Sequence, residues 1–126
     1  MLIKNFDQII FFEPFLLGWE RKNDKLVLFL ECILSESHPL YEKPQKGQLY
    51  CYKLIKFHCK GVSEVVGIDE EKRLPVWNSK SSEYDDIAEI WEFYNEATKL
   101  SFIASNFDFT IYCNEAEIEI INEAKF

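Results

Sequence analysis

Hydrophobic residues in this chain fall into short, dense runs separated by polar clusters. The clearest is Lys25–Leu34 (KLVLFLECIL), which has only Glu31 charged inside it and is bounded by Asn23-Asp24 and Ser35-Glu36-Ser37. Such a run predicts a strand buried on both faces. Leu26, Leu28, Leu30, Cys32 and Leu34 then line one side, and Val27, Phe29 and Ile33 surround Glu31 on the other.

The same pattern extends along the chain. Gln8–Leu17 is apolar but carries Pro14, which predicts an edge strand that ends or kinks there, because proline cannot donate to a ladder. Ser35–Gln48 holds Pro39, Pro44 and Gly47 among charges and reads as a long loop. Leu49–Cys59 is a second long strand, in which Lys53 breaks the alternation and predicts a bulge or an edge position. Gly61–Gly67 brackets a short strand, and Leu74–Asn78 is extended around Pro75.

Ser82–Leu100 fits two periods. Ile87, Ile90, Trp91 and Tyr94 have helical spacing, with Ser82 and Asp85 as a cap. As a strand, the segment places Ile87, Trp91 and Phe93 on one face and Ala88, Ile90 and Tyr94 on the other, with a turn at Asn95-Glu96-Ala97. The strand reading is favoured, since alternation continues through Leu100-Phe102-Ala104, Phe107–Cys113 and Glu117–Ile120. The expected fold is one mainly β domain over residues 1–126. It is an antiparallel sandwich or open barrel of about eight strands. A helix around residues 83–97 is the competing element.

Charge changes this picture more than composition does. Met1–Ser82 holds 12 basic and 11 acidic side chains, whereas Glu83–Phe126 holds 2 basic and 11 acidic, so the last third, at −9, carries all of the negative excess in a chain whose net charge is −8. That balance disfavours nucleic acid and anionic membrane, and favours a basic protein partner. None of the four glycines builds a phosphate-cradling loop. No apolar run approaches the roughly 18 residues of a membrane span. The opening residues, with Asp7 among them, do not read as a signal peptide, so the cytoplasm is the expected compartment.

Candidate chemistry is sparse. Cys32, Cys51, Cys59 and Cys113 each lie within an apolar run and read as small buried hydrophobes. Cys51, His58 and Cys59 do not make a zinc site, because adjacent strand residues point to opposite faces. The two histidines, His38 and His58, stand in no nucleophile–base pattern. No enzyme activity, cofactor or metal is therefore expected. The densest cluster is acidic: Asp85, Asp86, Glu89 and Glu92, next to Tyr84. On a strand, Asp85 and Glu89 share one parity and Asp86 and Glu92 the other; on a helix all four share a flank. Carboxylates beside Tyr and Trp are what a hot-spot patch for a basic partner needs. In the long loop, His38 and Tyr41 are further candidates.

The string His38-Pro39-Leu40-Tyr41, Pro44, Gly47 and Cys51-Tyr52, with Gly18-Trp19 and Gly61-Val62, resembles a small bacterial family of β-rich proteins with an HPLYxxPxxGxxxCY motif. The resemblance runs from Trp19 onward and implies a β-rich fold with no catalytic role to carry over. A looser likeness is to small acidic immunity-type proteins, which bind a basic toxin domain. The expected function is a non-catalytic protein-binding domain, immunity-like, whose acidic C-terminal third faces a basic partner. The alternative is a small-ligand-binding β-protein with an aromatic-lined pocket.

Overall fold

The computed structural model covers Met1–Phe126 and consists of strands with one 3-10 turn at Phe6–Gln8. The long strands are β2 (Ile9–Lys22), β3 (Lys25–Leu34), β4 (Tyr52–Lys60), β9 (Ala88–Asn95), β10 (Lys99–Ala104), β11 (Asp108–Tyr112) and β12 (Glu115–Ile121). The short ones are β1 (Ile3–Lys4), β5 (Glu64–Val66), β6 (Lys72–Arg73), β7 (Trp77–Asn78) and β8 (Glu83–Tyr84). Ten strands form one sheet in the order β1-β12-β4-β3-β2-β9-β10-β11-β5, with β6 attached to β2. β7 and β8 make a separate hairpin. All pairings are antiparallel except that of β1 with β12.

The sheet folds over on itself. Phe57 on β4 and Phe102 on β10 are separated in sheet order by β3, β2 and β9, yet their ring centroids lie 6.0 Å apart. Phe102 stacks on Phe109 at 4.6 Å, and Leu16, Leu28, Leu30, Ile55, Leu100 and Ile111 complete a fully buried core around them. Each large apolar side chain so enclosed stabilises by about 1.5–3 kcal/mol. The result is an open, curled sandwich and not a closed barrel. No helix is long and apolar enough to cross a membrane.

β3 is central and covered on both faces, as its composition requires. Leu26, Leu28, Leu30 and Cys32 enter the main core. On its other face Phe29 joins Leu17 and Leu54 in a small second core, capped by Phe15, Tyr84, Ile121 and Phe126. All four cysteines are buried and unpaired.

Three expectations need correction, and the choice between helix and strand at residues 83–97 is decided for the favoured strand. β2 is neither an edge strand nor broken at Pro14; it lies between β3 and β9 and runs past the proline. Its register jumps from Ile10 opposite Ile33 to Phe15 opposite Glu31, and Glu13 within that bulge has φ +47. Pro14 therefore sits where the ladder is already interrupted, so its missing N–H costs little. Lys53 makes no bulge and β4 is not an edge; Lys53 pairs regularly with Cys32, one residue beyond the last β12 partner, Leu54. There its ammonium leaves the core and lies 3.8 Å from Glu42.

Residues 83–97 contain no helix. Finally, β9 does not alternate simply. Ile103 pairs with Glu92 and Ala104 with Ile90, so Trp91 is the extra residue of a bulge. Ala88, Ile90 and Phe93 then face inward, while Trp91 and Tyr94 are exposed. This shifts Phe93 and Tyr94 to the faces opposite those their parity implies.

Candidate protein-interaction site

The site forms where β2 meets β9, the crease about which the sheet folds. Pairing there is confined to Phe15 with Glu89 and Leu16 with Ala88, extended by the Ile87 N–H donating to the Leu16 carbonyl at 2.8 Å. The β7–β8 hairpin is held beside this crease. Gly18 permits that placement: a Cβ there would lie 2.5 Å from the Arg73 carbonyl oxygen and 2.8 Å from the Pro75 nitrogen. Trp77 packs edge-on against Tyr84 at 5.0 Å, and the Asp85 N–H donates to the Val76 carbonyl at 2.9 Å. The Asn78 side-chain amide donates to Asp85 Oδ1 at 3.4 Å.

These elements gather carboxylates from distant parts of the chain. Glu13 comes from the β2 bulge, Glu31 from the outer face of β3, Glu83 from β8, Asp85 and Asp86 from the following turn, and Glu89 from β9. Phe15, Glu31, Tyr52, Tyr84, Asp85 and Asp86 line an open cleft of about 540 Å³.

The carboxylates act on one another. Burial raises the pKa of Glu31 above its ordinary value, and the charges of Asp86 and Glu83 add to that. Asp86 is raised in the same direction by burial, then by Glu83 and Asp85. Glu89 is also raised, by desolvation and by the adjacent Glu13 carboxyl, while a hydrogen bond from Trp91 opposes the shift. The salt bridges of the protein are Lys4–Glu117, Lys53–Glu42, His58–Glu119, Lys72–Glu20 and Lys99–Glu96, so none neutralises this cluster.

Beside the cluster lies an apolar fringe. Phe12, next to Glu13, is 55% exposed and Trp91, two residues from Glu89, is 57% exposed; Tyr94, 49% exposed, lies further along β9 with Glu92. Tyr94 donates its hydroxyl to Glu92 Oε2 at 3.0 Å.

Of the residues singled out by sequence, Tyr84, Asp85, Asp86 and Glu89 come together here. Glu92 lies further along β9, on its exposed side. His38 belongs elsewhere: with Leu40, His58, Glu117 and Glu119 it borders a different cleft of about 360 Å³, and its Nδ1 accepts the Leu40 N–H at 3.1 Å. Tyr41 donates its N–H to the His38 carbonyl at 3.0 Å and lines neither cleft. Glu13, Glu31, Tyr52 and Trp77 are additions that charge counting along the chain did not reach. The lone charge of Glu31 inside β3 was a visible signal for one of them.

The acidic last third is thus split. Glu115, Glu117 and Glu119 on β12 stand opposite Lys60, His58 and Lys56 on β4. His58 Nε2 and Glu119 Oε1 are 2.7 Å apart, and the Lys4 ammonium lies 3.8 Å from Glu117. No group of three or more His, Cys, Asp or Glu side chains is arranged to hold a metal ion. No family model matches this chain, nor does any curated protein or solved structure.

Proposed function

We propose that this protein is a non-catalytic binding domain that engages a basic protein partner through the acidic crease at Glu31, Glu83, Asp85, Asp86 and Glu89. An immunity-type role, capping a basic toxin domain, is the form of this reading that suits a small acidic chain. The observation that carries it is the convergence of carboxylates that no salt bridge neutralises, next to exposed Phe12 and Trp91. Mutually repelling carboxylates gain most from an incoming cation, and exposed aromatic rings supply the desolvated contacts that hold a complex together. The reading is narrower than the whole acidic third, because the β12 carboxylates already face cations of β4.

A lysine- and arginine-rich peptide serves as the probe. Its affinity falls steeply as salt rises from about 50 to 300 mM, since exposed charges are screened over roughly 10 Å. Neutralising the crease with Asp85→Asn, Asp86→Asn and Glu89→Gln together weakens binding by about tenfold or more. Neutralising β12 with Glu115→Gln, Glu117→Gln and Glu119→Gln changes it by less than about threefold. Equal losses from the two triple variants, or affinity indifferent to salt, would overturn the proposal.

A further inference from the structure

After β12 the chain turns back, and its last residues lie on the second core beside the acidic crease. The Phe126 ring meets Phe29 edge-on at 5.0 Å and Tyr84 at 5.3 Å. Its backbone N–H donates to the Tyr84 hydroxyl oxygen at 3.0 Å. The Lys125 ammonium stands over the Trp77 ring, 4.2 Å from its centroid. Three aromatic side chains thus receive one phenyl ring and one cation from adjacent residues. Lys125 enters no salt bridge, so its charge is met by the Trp77 face.

The seat is shallow and reaches the site already described. Lys125 is exposed and Phe126 half-buried. Asn122, Glu123 and Ala124 form one wall of a cleft of about 290 Å³, whose other walls include Glu31, Trp77 and Tyr84. Glu31 and Tyr84 also line the larger acidic cleft, so the two spaces share a border. A segment held by a few exposed contacts is drawn from the weakly held part of a fold.

We propose that Lys125 and Phe126 are an internal ligand. They occupy a groove that takes a cation–aromatic pair, Lys or Arg next to Phe or Tyr, from the basic partner, and they compete with that partner for Trp77, Tyr84 and Phe29. The inference rests on the docking reading above and specifies what the partner presents. Charge complementarity selects the occupant: the surrounding carboxylates favour a cation, and the chain's own occupant is a lysine followed by a phenylalanine. Displacement of 122–126 opens the smaller cleft and uncovers Tyr84, which the acidic cleft shares, so partner affinity is lowered by the fraction of molecules in which the segment is seated.

The test uses the full chain and a capped Lys-Phe-Lys-Phe peptide, with capped Lys-Ala-Lys-Ala as control. Binding is followed by titration and by the Trp77 indole N–H resonance, assigned with Trp77→Phe. The double substitution Lys125→Ala and Phe126→Ala is expected to tighten Lys-Phe-Lys-Phe binding about tenfold by removing the competitor. It also shifts the Trp77 resonance, and the peptide shifts that resonance back. Lys125→Gln, which keeps the phenyl contacts, gives a smaller change of the same sign and serves if the double variant folds poorly. Adding Trp77→Ala to the double variant removes the gain. Unchanged affinity in both tail variants overturns the inference; if the Asp85, Asp86 and Glu89 variants still weaken binding, the docking reading survives it. Equal binding of the Lys-Ala peptide, or concentration-dependent dimers in which segment 122–126 is exchanged between copies, overturns it as well.

Discussion

The molecule carries two acidic faces, and they differ in what stands across from them. On β12, Glu115, Glu117 and Glu119 run along a strand whose antiparallel neighbour offers Lys60, His58 and Lys56. At the crease between β2 and β9, Glu13, Glu31, Glu83, Asp85, Asp86 and Glu89 meet aromatic rings and one another. A regular ladder sets these carboxylates beside lysines and a histidine, and Glu117 and Glu119 find contacts with Lys4 and His58 within the fold. Bulges and a short hairpin bring carboxylates together with no such partner, which leaves their field directed outward. Density of acidic residues in the sequence is therefore a poor measure of docking strength; the identity of the neighbouring strand decides.

Charge reversal should separate the two faces most sharply. Asp85→Lys with Asp86→Lys is expected to lower affinity for the basic peptide about 100-fold at low salt, because like charges then meet at the interface. Glu117→Lys should change it far less, and titration calorimetry on both variants checks this. Gly18→Ala comes next. Its Cβ forces the Arg73–Pro75 segment away from β2, costing about 1–3 kcal/mol in denaturant unfolding and weakening peptide binding by displacing the β7–β8 hairpin.

Single neutralisations should have opposite signs. Glu31→Gln relieves burial and repulsion and should raise stability by about 0.5–1 kcal/mol, whereas Glu119→Gln removes the His58 contact and should lower it by about 0.2–1 kcal/mol. Matched urea melts of the two variants settle whether the faces are built differently.

The smallest effect is in the pH dependence. Glu31, Asp86 and Glu89 bind protons more tightly folded than unfolded, so acidification from neutrality through their raised pKa values stabilises the folded chain. The gain is complete below their ordinary values of 4.5 for Glu and 3.8 for Asp, and is lost again as pH rises through the folded-state values. Glu31→Gln with Asp86→Asn should flatten that part of the stability–pH curve; an unchanged slope would show that the crease carries no such strain.

Much of the fold was legible in the chain. β3 was evident because ten nearly uncharged residues have few other uses, and the closing strands because their alternation is clean. Two of the failures share a cause, which is a bulge. In β9 the extra Trp91 brings Phe93 to the inward side with Ala88 and Ile90, so strict alternation misplaces Phe93 and Tyr94. In β2 the bulge shelters Pro14, so a residue that marks an edge stands in the middle of the sheet. The site was half legible: Tyr84, Asp85, Asp86 and Glu89 are neighbours in sequence, but Glu13 and Glu31 reach them only through the pairing of β2 with β3 and β9. Nothing local announces that β12 will lie beside the lysines of β4.

β2, from Ile9 to Lys22, is common property of the two halves: β3 holds one side of it and β9 the other. If the crease opens, β2 keeps only β3 along it and β9 keeps only β10, and the core that both halves enclose is exposed. Melting should accordingly proceed as a single event, with Trp19 buried on β2 itself and Trp91 on the surface of β9 reporting the same midpoint. A protein whose binding face lies along that shared strand loses its recognition surface and its integrity at one temperature.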